Sequence, residues 1–136
     1  MHRILIVDDD PVFLKMLTAY VSQRCPDIEV VACSDPLQGL SAITSDLMLL
    51  LLDLEMPGLD GTKLLSYAVE KGLSKNRIII LSGRDADYLH ERIPMGQCLA
   101  VLNKHEKRQK AVLDMVFSSL QTKCSGAGEK KRRAAR

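Results

Sequence analysis

The chain has 136 residues, and its content of 46% hydrophobic and 26% charged residues is typical of one globular domain with a hydrophobic core. Aromatic residues make up only 4% and tryptophan is absent, which disfavours a base-stacking platform for nucleic acid. No apolar run approaches the roughly 20 residues of a membrane span, and the four cysteines form no CxxC pair, so we expect a cytoplasmic protein with reduced thiols and no membrane contact.

The basic residues are concentrated at the carboxyl end of the chain. Residues 126–136 carry a local charge of +4, which leaves −2 for the other 125 residues of a chain whose net charge is +2. No apolar periodicity continues into this segment. We therefore expect a folded domain over residues 1–122 and a basic, disordered tail over residues 123–136, solvated rather than bound to nucleic acid.

Predicted strands and helices alternate along the chain. Short apolar runs predict strands at residues 4–7, 28–33, 47–52, 78–81 and 98–102. Helical spacing, with Asp-Pro starts and glycine or proline ends, predicts helices at residues 11–24, 36–44, 60–71, 85–93 and 106–122. In the first helix the predicted buried stripe consists of Phe13, Met16, Leu17, Tyr20 and Val21.

Five strands that alternate with five helices indicate a parallel sheet covered on both faces, because crossovers between parallel strands are right-handed. We predict an α/β, flavodoxin-like doubly wound sheet with strand order 2-1-3-4-5 and five helices. This order places the first, third, fourth and fifth strands side by side. Ligands of such sheets bind outside the carboxyl ends of the strands.

The third predicted strand is the most informative stretch of the sequence. Six apolar residues, Leu47 to Leu52, run without a break and stop at Asp53, and Pro57 and Gly58 then turn the chain. Asp53 is therefore a site candidate from its position alone. The simpler interpretation is an acid that ends a strand and accepts hydrogen bonds from loop amides.

Other polar residues follow the neighbouring strands: Asp8 and Asp9 after the first, Ser82 after the fourth and Lys104 after the fifth. Three converging carboxylates repel one another unless a cation neutralises them, and Mg²⁺ suits such oxygen ligands. An ammonium and a hydroxyl suit a phosphoryl group, which a carboxylate can accept. Taken singly, Ser82 is an ordinary turn residue and Lys104 a solvated strand end.

This combination resembles the receiver domain of two-component response regulators, the CheY-like domain. The resemblance covers residues 1–122 and depends on Ile4–Asp9, Asp53–Gly61, Leu81–Gly83 and Lys104. It implies that Asp53 is the phosphoacceptor and receives a phosphoryl group from a sensor histidine kinase or phosphotransfer protein. The phosphorylated domain would then signal to a downstream protein by a conformational change.

The resemblance also implies a Mg²⁺ site. Asp9, Asp53 and the backbone carbonyl of Glu55 would bind the ion directly, and Asp8 would bind it through water. Ser82 and Lys104 would contact the phosphoryl oxygens, with Ser82 moving toward the phosphate on activation.

Three positions depart from the usual pattern of that family. His105 follows Lys104 where proline is common, and a cis bond without proline costs about 2.5–4 kcal/mol, so this turn is either trans or strained. Val101 replaces the usual aromatic residue of the switch region. Gly83 precedes Arg84, and the small Gly83 should leave the phosphate easy to reach.

Glu55 and Arg84 occupy the positions that flank the path of hydrolytic water in that family. They have opposite charges, and we hypothesise that they pair over the acyl phosphate and slow its hydrolysis. The alternative is two solvated side chains, because exposed pairs contribute only about 0–1 kcal/mol.

We expect from the sequence a stand-alone phosphoacceptor switch with no output domain, although the chain could also be the receiver part of a longer protein. We expect a signalling module rather than a turnover enzyme, one that catalyses only its own phosphorylation and dephosphorylation. One alternative is a Mg²⁺-dependent phosphohydrolase with Asp53 as nucleophile and Glu55 as general acid/base. Another is a pseudo-receiver that binds partners without phosphate.

Overall fold

The computed structural model describes residues 2–56, 59–84, 88, 89, 91, 93, 96–104 and 110–120. Its main element is a five-stranded sheet in which every neighbouring pair is parallel. The strands are β1 (Arg3–Val7), β2 (Glu29–Cys33), β3 (Leu49–Asp53), β6 (Ile78–Ser82) and β7 (Ala100–Asn103). Two further strands of two residues each, β4 (Glu55–Met56) and β5 (Leu59–Asp60), pair with each other as an antiparallel hairpin.

The strand order of the sheet is β2-β1-β3-β6-β7. Because β6 and β7 are the fourth and fifth of the strands predicted from sequence, this is the predicted flavodoxin-like order. The central strand β3 is buried along its whole length, which explains its uninterrupted leucines. The carboxyl ends of β1, β3, β6 and β7 therefore meet at one edge of the sheet.

Hydrophobic clusters cover both faces of the sheet. Alternate residues of one strand enter opposite clusters, as Leu50 and Leu51 of β3 do. The longer described helices are α1 (Pro11–Arg24), α2 (Pro36–Ala42), α3 (Gly61–Glu70) and the helical residues 110–120, and a short 3-10 helix spans Lys75–Arg77. None of the described helices has the length and apolar character required to cross a membrane.

An aspartate caps the amino-terminal end of each of the helices α1, α2 and α3. The side chain of Asp10 accepts hydrogen bonds from the amides of Val12 and Phe13, and Asp35 and Asp60 cap α2 and α3 in the same way. Proline at the first position of α1 and α2 fixes the backbone for the first turn. The helix starts predicted from these aspartates are confirmed.

Some predicted boundaries and contacts are wrong. The helix predicted to reach Thr44 ends at Ala42, and the fifth strand begins at residue 100 rather than 98. In α1 the buried residues are Leu14, Leu17 and Val21, whereas Met16 is 60% exposed. Within the helix predicted at 85–93, the structure describes residues 88, 89, 91 and 93, of which the first three are helical. The tail 123–136 lies outside the described residues.

Candidate functional site

Three side-chain carboxylates lie together at the edge of the sheet that the carboxyl-terminal ends of the strands form. Asp8 and Asp9 follow β1 and Asp53 is the last residue of β3, and one carboxylate oxygen from each lies within 4.8 Å of the others. Asp8 and Asp53 are buried, whereas Asp9 is partly exposed. The adjacency of β1 and β3 brings these acids together, since Val7 pairs with Leu52 in the register of the two strands.

Lys104, which lies at the end of the edge strand β7, brings a positive charge to this cluster of carboxylates. It directly follows β7, and its Nζ atom lies 2.7 Å from Oδ2 of Asp8 and 3.3 Å from Oδ1 of Asp53. Its backbone amide donates to the carbonyl of Ser82, at 2.8 Å, which ties Lys104 to the end of β6. The ammonium also lies 4.7 Å from the ring centroid of Phe13, a contact that the sequence analysis missed.

Burial and neighbouring charges shift the pKa values of Asp53 and Lys104. Burial, followed by the negative charge of Asp8, raises the pKa of Asp53 to about 8, although Lys104 acts in the opposite direction. Burial alone would lower the pKa of Lys104, but hydrogen bonding and charge from Asp8 and Asp53 raise it. The ammonium of Lys104 is thus shared between the buried carboxylates of Asp8 and Asp53.

The donor set of this cluster fits a hard divalent cation. All three side chains offer carboxylate oxygens, and the partly exposed Asp9 leaves an approach for water. Backbone amides hold two of the carboxylates in place: Asp10 donates to Oδ1 of Asp8 at 2.9 Å, and Glu55 donates to Oδ1 of Asp53 at 3.2 Å. A cation at this position would offset both the burial and the negative charge of Asp8, which together raise the pKa of Asp53.

Ser82 ends β6 beside the cluster and is fully buried. Its hydroxyl oxygen lies 2.8 and 2.7 Å from the two carboxylate oxygens of Glu55, so the hydroxyl donates to this carboxylate. The Gly83 amide donates to the same carboxylate at 3.0 Å, and the Arg84 amide donates to Oγ of Ser82 at 3.0 Å. The side chain of Glu55 is therefore part of the site, whereas the sequence analysis assigned it no such contact.

Glu55 and Arg84, the predicted pair, take different partners in this structure. The guanidinium of Arg84 lies 4.1 Å from the ring centroid of Tyr88, and Glu55 is bound to Ser82 and Gly83. The structure, which carries no phosphoryl group, does not test the hypothesis that these two charges pair over an acyl phosphate. This pairing stays a prediction.

The two remaining predicted positions lie on or beside β7. Val101 is half-buried, pairs in register with Ile80, and packs against the cluster that contains Leu50. His105 lies outside the described residues, so the conformation of the bond that follows Lys104 stays a prediction.

Gly61 holds α3 against the strand that carries Asp53. A β-carbon at this position would lie 2.6 Å from Cα of Leu54 and 2.9 Å from the carbonyl oxygen of Asp53. The Gly61 amide donates to the carbonyl of Leu54 at 3.1 Å. Only glycine allows this approach of the two backbones, which fixes the segment after the acidic residue.

Comparison with known proteins identifies one family. Residues 4–116 match the family model of the response regulator receiver domain. The nitrate/nitrite response regulator protein NarL of Escherichia coli (strain K12) is 41% identical over 81 residues, which cover 58% of this chain and 37% of NarL. This chain therefore matches little more than a third of the length of that relative.

Solved structures of similar fold cover most of the chain. A response regulator from Colwellia psychrerythraea gives a TM-score of 0.69 at 25% identity, covering 90% of this chain and 98% of that one. The response regulator protein TrrA from Thermotoga maritima, in complex with Mg²⁺-BeF, gives a TM-score of 0.68 at 22% identity, covering 85% and 96% of the two chains.

Proposed function

Because the chain belongs to the response regulator receiver domain family, we propose that it is a phosphoacceptor switch in which Asp53 takes a phosphoryl group from a histidine kinase or phosphotransfer protein. The observation that supports this most directly is the position of Asp53. Its carboxylate is buried at the end of the central strand, close to the carboxylates of Asp8 and Asp9 and within reach of the ammonium of Lys104.

The proposed reaction is a direct transfer. A carboxylate oxygen of Asp53 attacks the phosphorus of a phosphohistidine, the new P–O bond forms, and the N–P bond breaks. The histidine nitrogen leaves with the bonding electron pair and takes up a proton. Asp53 must be ionised to attack, and its raised pKa makes ionisation dependent on positive charge nearby.

We propose that Asp8, Asp9 and Asp53, with the backbone carbonyl of Glu55, hold Mg²⁺, which would supply that positive charge. The complex of TrrA with Mg²⁺-BeF supports this choice of ion by analogy. Lys104 would neutralise phosphoryl oxygens from the opposite side, because its ammonium already lies 3.3 Å from the acceptor carboxylate.

The response to phosphorylation is assigned to Ser82 and Val101. We propose that the Ser82 hydroxyl donates to a phosphoryl oxygen, which would move the end of β6 and, through the paired β7, the surface around Val101. Valine changes less exposed surface than an aromatic residue when it changes rotamer, so the altered surface would be smaller. The partner proposed to bind this altered surface is a protein rather than a nucleic acid.

The test of this function is the intact mass of the protein after incubation with a small acyl phosphate and Mg²⁺. We expect one phosphoryl adduct that requires Mg²⁺, is absent from Asp53→Asn, and persists in the charge-matched control Asp27→Asn at an exposed turn. No adduct on the wild-type protein, even with a phosphohistidine donor, would refute the proposal in favour of a pseudo-receiver.

The same samples test the phosphohydrolase alternative. A phosphoacceptor switch is expected to release little phosphate from stable phosphomonoesters, because an ester is a weaker phosphoryl donor than an acyl phosphate or a phosphohistidine. Sustained release from p-nitrophenyl phosphate, abolished by Asp53→Asn, would favour the hydrolase.

A further inference from the structure

Two hydrogen-bond donors beside Asp53 are already bound to an anion of the protein itself. The hydroxyl of Ser82 lies 2.7 and 2.8 Å from the carboxylate oxygens of Glu55, and the amide of Gly83 lies 3.0 Å from one of them. A hydroxyl and a backbone amide aimed at one point form a small anion-binding site. In this structure the carboxylate of Glu55 is its ligand.

These donors lie where a phosphoryl group on Asp53 would need them. Asp53 pairs in register with Leu81, so Ser82 and Gly83 are the next residues along the adjacent strand. Carboxylate and phosphoryl oxygens are acceptors of the same kind, and a hydroxyl with a single hydrogen cannot serve both. A phosphoryl group that uses the Ser82 hydroxyl therefore displaces Glu55.

The local backbone allows Glu55 to leave. Glu55 is partly exposed and belongs to the two-residue strand β4, which pairs with β5 and not with the main sheet. Its side chain can rotate into solvent without breaking the five-stranded sheet. Its amide still donates to Asp53 at 3.2 Å, so the segment remains attached to the acceptor when the side chain moves.

We propose that Glu55 is a positioning residue that acts as an internal competitor of the phosphoryl group. In the unphosphorylated protein the carboxylate of Glu55 accepts hydrogen bonds from the Ser82 hydroxyl and the Gly83 amide. Displacement of this carboxylate limits the rate at which Asp53 is phosphorylated. This inference rests on the proposed phosphoacceptor function. Under this proposal Glu55 can approach Arg84 only after phosphorylation has displaced it, which agrees with the separate partners of the two residues in this structure.

The test compares Glu55→Ala with Glu55→Asp. The first removes both the charge and the contacts, whereas the second keeps the charge but is one methylene too short to reach both donors from the same backbone position. Glu70→Ala, at the exposed end of α3, is the matched control. The measurement is the initial rate of phosphorylation by a small acyl phosphate with Mg²⁺.

We expect both Glu55 variants to be phosphorylated roughly tenfold faster than the wild type, as the loss of charge-assisted hydrogen bonds in the starting state implies, with Glu70→Ala unchanged. Faster phosphorylation of Glu55→Ala alone would assign the effect to charge repulsion and overturn the proposal. Unchanged rates in both variants, with a phosphorylated wild type, would overturn it while leaving the phosphoacceptor function intact. Failure of every protein to accept phosphate would refute that function, and the inference with it.

A second readout needs no phosphodonor. Amide hydrogen exchange at Gly83, followed by NMR, should be faster in both Glu55 variants than in the wild type and in Glu70→Ala, because the carboxylate acceptor is gone or out of reach. Equal protection of the Gly83 amide in all four proteins would show that Glu55 does not occupy this donor in solution and would overturn the proposal.

Discussion

The Nζ atom of Lys104 lies 3.3 Å from Oδ1 of Asp53, although β7, which Lys104 follows, and β3, which Asp53 ends, are not neighbouring strands. The lysine follows β7 and reaches across the end of β6 to the acid on β3. Its side chain is only 11% exposed, so the charge of the pair is poorly screened by water. The proposed acceptor and its main positive neighbour are therefore held together by the strand order of the sheet.

Replacing Lys104 with methionine should slow phosphorylation of Asp53 by about tenfold or more. Methionine keeps the length and apolar stem of the side chain but cannot neutralise phosphoryl oxygens. The initial rate with a small acyl phosphate and Mg²⁺ measures this effect. Lys75→Met, at an exposed position before β6, controls for the loss of one positive charge. Equal rates in wild type and Lys104→Met would remove Lys104 from the proposed mechanism.

Asp53 should make the metal-free protein less stable as the pH rises. Its pKa is about 8 in the folded protein and about 3.9 in an unfolded chain, so between these values the folded state binds more protons. By linkage, the free energy of unfolding then falls from about pH 4 to about pH 8, where the contribution is lost. Asp53→Asn cannot titrate and should lack this part of the pH dependence.

Urea unfolding in the presence of a chelator measures this difference. Between about pH 5 and about pH 8.5 the wild type should lose on the order of 1–3 kcal/mol relative to Asp53→Asn. Parallel stability curves for the two proteins would mean that Asp53 ionises as readily in the folded chain as in the unfolded one.

Mg²⁺ should stabilise the folded protein through the three carboxylates. An ion that binds only the folded state adds about 2.7 kcal/mol at a concentration one hundred times its dissociation constant. Asp9→Asn, which changes the partly exposed acid of the cluster, should lose most of this gain, and Asp27→Asn should keep it. Thermal unfolding with and without Mg²⁺ measures this stabilisation. If Mg²⁺ stabilised Asp9→Asn as much as the wild type, the ion would have to bind elsewhere.

Much of the fold follows from the sequence because buried parallel strands carry a strong signal. The unbroken leucines of β3 and the residues Ile78 to Leu81 can belong only to strands or helices that are covered on both sides, and their length favours strands. The polar residues that end these strands then predict the site. Asp8, Asp53 and Lys104 meet because parallel strands present their carboxyl ends at one edge.

The features that sequence reasoning missed depend on contacts between segments. In α1, Met16 lies at the edge of the predicted stripe farthest from Leu14, and packing of the helix selects Leu14 for the interior. The contact between Glu55 and Ser82 depends on the hairpin of β4 and β5, whose two-residue strands are too short to show an alternating pattern. Nothing in the spacing of these residues indicates the contact.

Gly61→Ala should destabilise the fold by about 1–3 kcal/mol, because the new methyl group would collide with backbone atoms that cannot rotate away. It should also slow phosphorylation, since the displaced segment begins at Asp53. Ser66→Ala, an exposed substitution in the same helix, should leave both properties nearly unchanged. Urea unfolding measures the stability, and wild-type stability in Gly61→Ala would show that α3 does not fix this segment.

The most direct test of the phosphoacceptor proposal is to locate the phosphoryl group. After phosphorylation by an acyl phosphate with Mg²⁺, borohydride reduces an aspartyl phosphate to homoserine, which tandem mass spectrometry can place in a peptide. We predict homoserine at position 53 in the wild-type protein and no homoserine in Asp53→Asn. Modification at another carboxylate, such as Asp8 or Asp9, with position 53 unmodified, would contradict the assignment of Asp53 as the acceptor.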